Sequence, residues 1–432
     1  MTLVKDAIAA GTALSLTGRF AVQGEQARRG LTLWVEHVNR LGGLVVSPDA
    51  PRRPVMLEVY DDGSKRAGAV EGTERLIVQD RVDLLFSPYG SVLAFAAAEV
   101  AERYGRVLWN HGGSSDALDA RGWRHVITLL SPASRYFVPV LDMAVRHATP
   151  ERPIRRVALL HGATGTFPRA VIGGARAHAR DLGLDMVLDE AYPGEALTPS
   201  PSPLRGRGEQ ERARTGSLPL SHGRERGPGG EGLPRLVSRL ASLQPDLILG
   251  VGTTEADLAF AQELRRQQLA PGLVALVAAP IERFHEVLGA DADGFCGPSQ
   301  WEPMLQGQPD LGPTSVEFSD DFRARFGLEP DYPAAQAYAA GLVAARCAEI
   351  AGALDDDALR SAAAALDITT FYGRFRLDPE TGQQVGHSMV VAQWQAGQKA
   401  IVWPAAIATA PLQLPVPTAV PTGRPSGDAP FS

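Results

Sequence analysis

The sequence holds two cysteines, Cys296 and Cys347, in 432 residues, and they form no CxxC spacing. No zinc or redox motif follows from that pair; two buried, reduced thiols are the expectation, with a disulfide between them the alternative. A basic excess is also lacking. The 42 Lys and Arg face 49 Asp and Glu, for a formal net charge of -7. A chain balanced this way carries no electrostatic footprint for nucleic acid or an anionic membrane. No apolar run approaches the roughly 18 residues of a membrane-spanning helix. Signatures of catalysis are missing too. No GxGxxG follows the first strand-like run, GxSxG and HExxH do not occur, and the 9 histidines do not cluster. A dinucleotide enzyme, a serine hydrolase and a zinc hydrolase are therefore not expected, and neither is a cofactor or a metal. Gly250-Val251-Gly252 supplies only the first half of a dinucleotide fingerprint. His111 and His161 end strand-like runs without an obvious acid or nucleophile partner, and are read as structural.

What is present is an ordinary globular composition, 44% hydrophobic and 21% charged, long enough for one large or two medium domains. The pattern predicts a strand over Ala7–Leu14, a helix over Gly24–Leu41, a strand over Val55–Tyr60, a helix over Lys65–Gln79, a strand over Val82–Phe86, a helix over 91–104 and a strand over 106–109. Strict alternation of this kind means a parallel sheet covered by helices. The rhythm restarts near residue 150, with strands at Arg156–His161, Asp185–Leu188, Pro245–Gly252 and Leu273–Ala278, and helices at Arg169–Leu182, Leu233–Leu243 and Glu255–Gln268. Two α/β lobes follow. Thr198–Gly232 is rich in Pro, Gly, Arg and Ser and breaks the pattern, so a solvated surface insertion is expected there. Helices are predicted over Ser315–Phe326, Pro333–Leu354 and Asp356–Leu366, then a hairpin pairing Phe371–Leu377 with Ser388–Trp394, and a Pro-rich surface tail over 405–432. Met1–Asp6 leave no room for a signal peptide before the first strand, so the expectation is a cytoplasmic protein or one whose leader is removed.

Two turns carry the chemistry. Ser87-Pro88-Tyr89-Gly90-Ser91 and His111-Gly112-Gly113-Ser114-Ser115 each follow an apolar strand and precede a helix-like segment. Such a turn offers free N–H groups and a hydroxyl to a carboxylate or another anionic or carbonyl oxygen. The competing reading is that Ser91 and Ser114 only cap helices.

Further pieces occur in a telling order: Leu14-Ser15-Leu16-Thr17-Gly18, Asn39-Arg40-Leu41-Gly42-Gly43, Asp61-Asp62, Leu76-Ile77-Val78-Gln79-Asp80-Arg81-Val82, Gln300-Trp301, the Tyr338 helix, and Tyr372-Gly373-Arg374-Phe375-Arg376-Leu377-Asp378 through Gln393-Trp394. Together they resemble the type I periplasmic binding proteins of the leucine/isoleucine/valine-binding family, from about Ala7 to Pro404. The resemblance implies two Rossmann-like lobes joined by a three-segment hinge: lobe 1 over 1–132 and 302–368, lobe 2 over 133–301 and 369–404. The hinges would lie near Ser131-Pro132, Pro298–Trp301 and Thr369–Tyr372. It also implies a solute-binding protein of an ABC importer, periplasmic or extracellular, membrane-associated if lipidated, a monomer, working with a permease. Its small ligand, an amino acid or a related carboxylate or amide, would be trapped by hinge closure.

Carried over residue by residue, the family's carboxylate site falls on Ser91 and Ser114, with Gly112 and Gly113 supplying backbone. Gln23 and Tyr89 join from the first lobe. On the second lobe the family's Tyr corresponds to Phe167, its next position to Thr253 and Thr254, and Trp301 is a candidate wall. Trp109 is equally a core residue. The acid that pairs with an amino acid's ammonium falls on Val277-Ala278-Ala279-Pro280, where no acid stands. Glu255 and Glu282 are the nearby substitutes, each read more readily as a cap or a solvent-facing group. An aromatic or short aliphatic acid without an ammonium is therefore expected. Two rival functions remain: a cytoplasmic amide or amino-acid sensor of the same fold acting through a protein partner, and an enzyme with Rossmann-like lobes.

Overall fold

A computed structural model describes residues 7–47, 50–193 and 232–414. Five parallel strands, β1 (Ile8–Leu14), β2 (Val55–Asp61), β3 (Leu84–Phe86), β4 (Leu108–Asn110) and β5 (Val126–Thr128), form a sheet in the order β2-β1-β3-β4-β5. The crossovers are α1 (Ala21–Arg40), α2 (Arg66–Val78) and α3 (Ser91–Arg103). Alternation along the strands sends side chains to two cores. Ile8, Ala10, Phe86, Trp109 and Ile127 enter one, while Leu85, Leu108 and the partly buried Ala9 and Val126 enter the other. Burial on both faces explains why these strands read as short apolar runs. Trp109 is fully buried in the first core.

The second sheet has seven strands: β6 (Arg156–His161), β7 (Asp185–Ala191), β8 (Leu247–Val251), β9 (Leu273–Leu276) and β10 (Cys296–Ser299), with β13 (Val390–Gln395) and β14 (Gln398–Trp403) antiparallel at its edge, in the order β14-β13-β10-β9-β8-β6-β7. It is flanked by α4 (Val138–His147), α5 (Thr166–Asp181), α6 (Gly232–Leu243), α7 (Thr254–Arg266) and α8 (Glu282–Leu288). Its strands divide in the same way, Val157, Leu159 and Leu249 to one core, Ala158, Leu160 and Ile248 to the other.

The chain then returns to the first lobe. α9 (Ser315–Phe326), α10 (Tyr332–Ala351) and α11 (Asp356–Ala365) place Phe318, Ala334, Ala344 and Leu359 in the core that holds Ile8 and Trp34. α1 and α10 pack closely because Gly30 faces a carbonyl; a β-carbon there would lie 2.2 Å from the Ala334 oxygen. Cys296 and Cys347 are buried and unpaired.

The expected hairpin between 371–377 and 388–394 does not form. The Asp378–Gly382 turn closes, with the Gly382 N–H donating to the Asp378 carbonyl at 2.8 Å. However, β12 (Gly373–Arg376) pairs with β11 (Asp367–Thr370), and β13 leaves for the second sheet. Phe371, Phe375 and Leu377 pack in the first core. The third passage between lobes therefore falls after β12, around His387, rather than at Thr369–Tyr372. Of the expected tail, 405–414 packs against β13: the Gln413 N–H donates to Gln393 Oε1 at 2.9 Å, and Leu412 and Leu414 cover the second-lobe core. Residues 415–432 lie outside the described residues, as does the expected insertion 198–232 apart from Gly232, which opens α6.

The three passages meet in one hydrogen-bonded knot. Gln300 Oε1 accepts from the Ser131 N–H at 3.2 Å, and its Nε2 donates to the Ser131 carbonyl at 3.2 Å and to Tyr136 Oη at 3.1 Å. Ser131 Oγ lies 2.7 Å from His387 Nδ1, and His387 Nε2 lies 3.1 Å from the Gln300 carbonyl and 3.2 Å from that of Tyr372. Burial holds His387 neutral and lowers its pKa from 6.5 to about 4, against the opposing pull of those carbonyls. An unfolded histidine takes up its proton near 6.5. Its contribution to stability is therefore complete above that pH and is lost as pH falls from 6.5 toward 4, by up to about 3 kcal/mol. We expect His387→Gln to remove close to one proton from the slope of unfolding free energy against pH in that window, measured by urea unfolding. An unchanged slope would mean that His387 is already charged in the folded protein.

Candidate functional site

The ends of β3 and β4 are locked together before any ligand is considered. Ser87 Oγ accepts from the N–H groups of His111 (3.1 Å) and Gly112 (3.2 Å). Asn110 Oδ1 accepts from the N–H groups of Gly112 (3.3 Å) and Gly113 (2.9 Å), and its Nδ2 donates to the Gly113 carbonyl (2.7 Å) and Thr128 Oγ1 (3.1 Å). The Gly90 N–H reaches across to the Gly112 carbonyl at 2.8 Å. The two turns touch so closely that a β-carbon on Gly112 would lie 2.0 Å from the Pro88 oxygen.

This lock corrects two expectations. Gly90, at φ 93°, occupies the N-cap of α3, and Ser91 is the first helical residue. Ser114 leads into turns rather than a helix. Neither serine is an N-cap. The N–H groups of Gly112 and Gly113 are occupied inside the protein and do not face outward as donors. The first-turn N–H groups of Ser91 and Val92 have no carbonyl one turn back, and these two residues line the cavity together with Ser114. Ser91 Oγ accepts from the Ser115 N–H at 3.2 Å, which leaves its own proton to donate, and Ser114 Oγ lies 3.4 Å from Tyr136 Oη.

These groups open on a cavity of 560 Å³ between the lobes. Of the residues expected from sequence, Gln23, Tyr89, Ser91, Gly112, Ser114, Phe167, Thr253 and Thr254 line it. Gly113 and Trp301 do not. Gly113 faces the interior, where a β-carbon would lie 2.5 Å from that of Ala94. Trp301 is 1% exposed in the first core, edge-on to Phe318 and Phe371, and its indole N–H donates to Ser315 Oγ at 3.1 Å. Sequence reasoning missed Phe20, Tyr136, Tyr332 and Gln336, which also line the cavity. A signal for the last two existed: Asp331 followed by Pro333 marks a helix start. Asp331 indeed caps α10, accepting from the Tyr332 N–H at 2.8 Å.

The starts of α1, α3, α5, α7 and α10 all contribute first-turn residues to the cavity wall: Gln23, Ser91, Phe167, Thr254 and Tyr332. Each start presents the positive end of a helix dipole, so the cavity favours an anion. Among the described residues, its charged lining residues are Arg19 and Glu255, both exposed. Arg19 lies over the Phe20 ring at 4.4 Å. Five rings wall the space. Phe20 meets Tyr89 edge-on at 5.9 Å, Tyr136 meets Phe167 edge-on at 5.1 Å, and the Tyr332 hydroxyl contacts that of Tyr89. Burial raises the pKa of all three tyrosines, which therefore stay protonated.

On the second lobe the buried acid Asp257 serves the scaffold. Its carboxylate accepts from Tyr192 Oη (2.9 Å), the Gly252 N–H (3.1 Å) and the Ala278 N–H (3.0 Å), fixing the ends of β8 and β9. The segment it holds presents Val277, Ala278, Pro280 and Ile281 to the cavity.

The sequence model of a family described as periplasmic binding protein matches residues 7–213 and 224–399. The chain belongs to the periplasmic binding proteins. Among curated relatives it is similar to Leu/Ile/Val-binding protein homolog 7 of Brucella abortus, 23% identical over 426 residues, covering 94% of this chain and 93% of that one. Among solved structures it shares its fold with a putative branched-chain amino acid ABC transporter protein from Silicibacter pomeroyi (TM-score 0.74, 18% identity, 95% of this chain and 99% of that one). It shares it also with an ABC-transporter solute-binding protein from R. palustris in complex with benzoate (TM-score 0.69, 18% identity, 94% and 98%). The fold of this periplasmic binding protein is thus the type I plan of two α/β lobes.

Proposed function

We propose that this periplasmic binding protein is the solute-binding component of an ABC importer, acting outside the cytoplasm. It traps a small carboxylate, or an amide in its place, that lacks an α-ammonium. The observation that carries this is the asymmetry of the cavity. The first lobe brings the starts of α1, α3 and α10 and the hydroxyl-bearing Ser91 and Ser114 to the cavity, whereas the second lobe adds the starts of α5 and α7 to an apolar stretch around Val277 and Pro280 in which no acid stands. A buried ammonium facing that stretch would lose several kcal/mol of solvation with no anion to replace it. A planar acid instead finds rings to lie among and helix dipoles to hold its charge. The benzoate bound by the R. palustris neighbour is a ligand of this kind. The lobes close about the knot of Ser131, Gln300 and His387, a permease receives the ligand, and one chain suffices for the site. A second reading follows from Glu255, the one carboxylate in the lining among the described residues: a branched-chain amino acid, as the name of the Brucella relative suggests, would direct its ammonium there. The exposure of Glu255 favours the first reading, because a solvated carboxylate gains little from pairing.

Benzoate is the probe for the carboxylate site. Ser91→Ala and Ser114→Ala are each expected to weaken its binding by about 1–3 kcal/mol, as when a charged group loses a hydrogen bond. Titration calorimetry measures this. Unchanged affinity in both variants would remove the serines from the site.

A further inference from the structure

Two amides in the cavity wall have no use within the protein. Gln336, in α10, is 1% exposed and lines the cavity, and its side chain has no hydrogen-bond partner among the described residues. Gln23, in the first turn of α1, lines the same cavity, and its Oε1 is buried without a partner. Neighbouring glutamines behave otherwise. Gln26, one turn further along α1, donates to the Glu329 carbonyl (3.2 Å) and accepts from the Asp331 N–H (3.3 Å). Gln300 is fully engaged in the hinge knot. Around Gln336, α10 is apolar, with Ala334, Ala335, Ala337 and Ala339 all buried. Leucine at that position would bury without loss, whereas a buried amide with no partner is costly. α1 and α10 are in direct contact through Gly30 and Ala334, so both amides belong to one side of the cavity.

We infer that Gln336 and Gln23 form a second polar subsite that selects ligands bearing a neutral hydroxyl or carboxamide in addition to the carboxylate. The inference rests on the carboxylate reading above and adds to it. An amide offers both a donor and an acceptor. A hydroxyl answers both, whereas a second carboxylate would face the amide oxygens without a proton to give them. A site built to hydrogen-bond a hydroxyl rejects the analogue that lacks it, because its own buried groups are then left unpaired.

The test is titration calorimetry of the wild-type protein, Gln336→Leu and Gln23→Leu with benzoate and with the 2-, 3- and 4-hydroxybenzoates. For wild type, the best hydroxybenzoate should bind about tenfold or more tightly than benzoate. Gln336→Leu should bring that ratio close to one, a melting temperature near that of wild type showing that the variant is folded, and Gln23→Leu should reduce the ratio. Should the acids bind wild type equally, or the ratio survive both substitutions, the subsite is overturned and the carboxylate reading stands. If none of the acids binds wild type, both fall together.

Discussion

Lys399→Met is expected to destabilise the protein by about 3–5 kcal/mol at neutral pH, the cost typical of removing one member of a buried ion pair. Lys399 lies on β14 with its side chain 8% exposed, and its Nζ sits 2.9 Å from Glu302 Oε2 and 2.8 Å from Glu282 Oε1. It also donates to the Pro280 carbonyl at 2.9 Å, which ties the passage after β10 to a segment of the cavity wall. Burial opposes the charge on Lys399, but Glu302, Glu282 and Asp331 outweigh it and hold the pKa above the ordinary lysine value. Burial raises Glu302, and Lys399 partly offsets that rise. Without Lys399, Glu302 rises further. A carboxyl whose pKa is raised by folding binds more protons folded than unfolded, so its penalty grows as pH climbs from the unfolded value through the folded one. The deficit of Lys399→Met should therefore shrink as pH is lowered toward about 4.5. Glu302→Gln should restore part of it at pH 7. Urea unfolding at several pH values measures both effects. A loss below about 1 kcal/mol, flat with pH, would show that the pair is screened like a surface one.

Asn110→Ala is the second large expectation. Asn110 is fully buried, and its amide organises the turn that presents Ser114. Removing it strands the Gly113 N–H, the Gly113 carbonyl and Thr128 Oγ1, for a loss of about 2–4 kcal/mol, since each buried group left unpaired costs about 1–3 kcal/mol. The turn then loses its fixed relation to Ser91, so benzoate binding should fall by more than either serine variant alone. Combined thermal unfolding and calorimetry read this. A stable variant with wild-type affinity would show that Ser87 alone holds the turn.

The alternation of strands and helices was legible because parallel strands buried on both faces read as apolar runs, and because Gly42-Gly43 and Asp61-Asp62-Gly63 punctuate them. β5 and α4 were not read. Three residues, Val126–Thr128, cannot display a period. The destination of Phe371–Leu377 was hidden for a different reason. Its partners Phe318 and Tyr338 lie 53 and 33 residues before Phe371, and only packing shows that these rings belong together. The same cluster took Trp301 out of the cleft. In the site, the strand-end serines were visible as chemistry, but the role of Asn110 was not, since an Asn ending a strand carries no sign of the turn it will hold. Gln336 was concealed by its Ala-rich helix, whose orientation toward the cavity is a property of the fold.

The central claim is that the cavity accepts a carboxylate and has no place for an ammonium. Isothermal titration of the wild-type protein with benzoate and with L-leucine under identical conditions tests it most directly. The account predicts saturable binding of benzoate and L-leucine weaker by about tenfold or more, the cost of burying an unpaired ammonium being well above the ~1.4 kcal/mol that separates them. Tighter binding of L-leucine, abolished by Glu255→Gln, would contradict it.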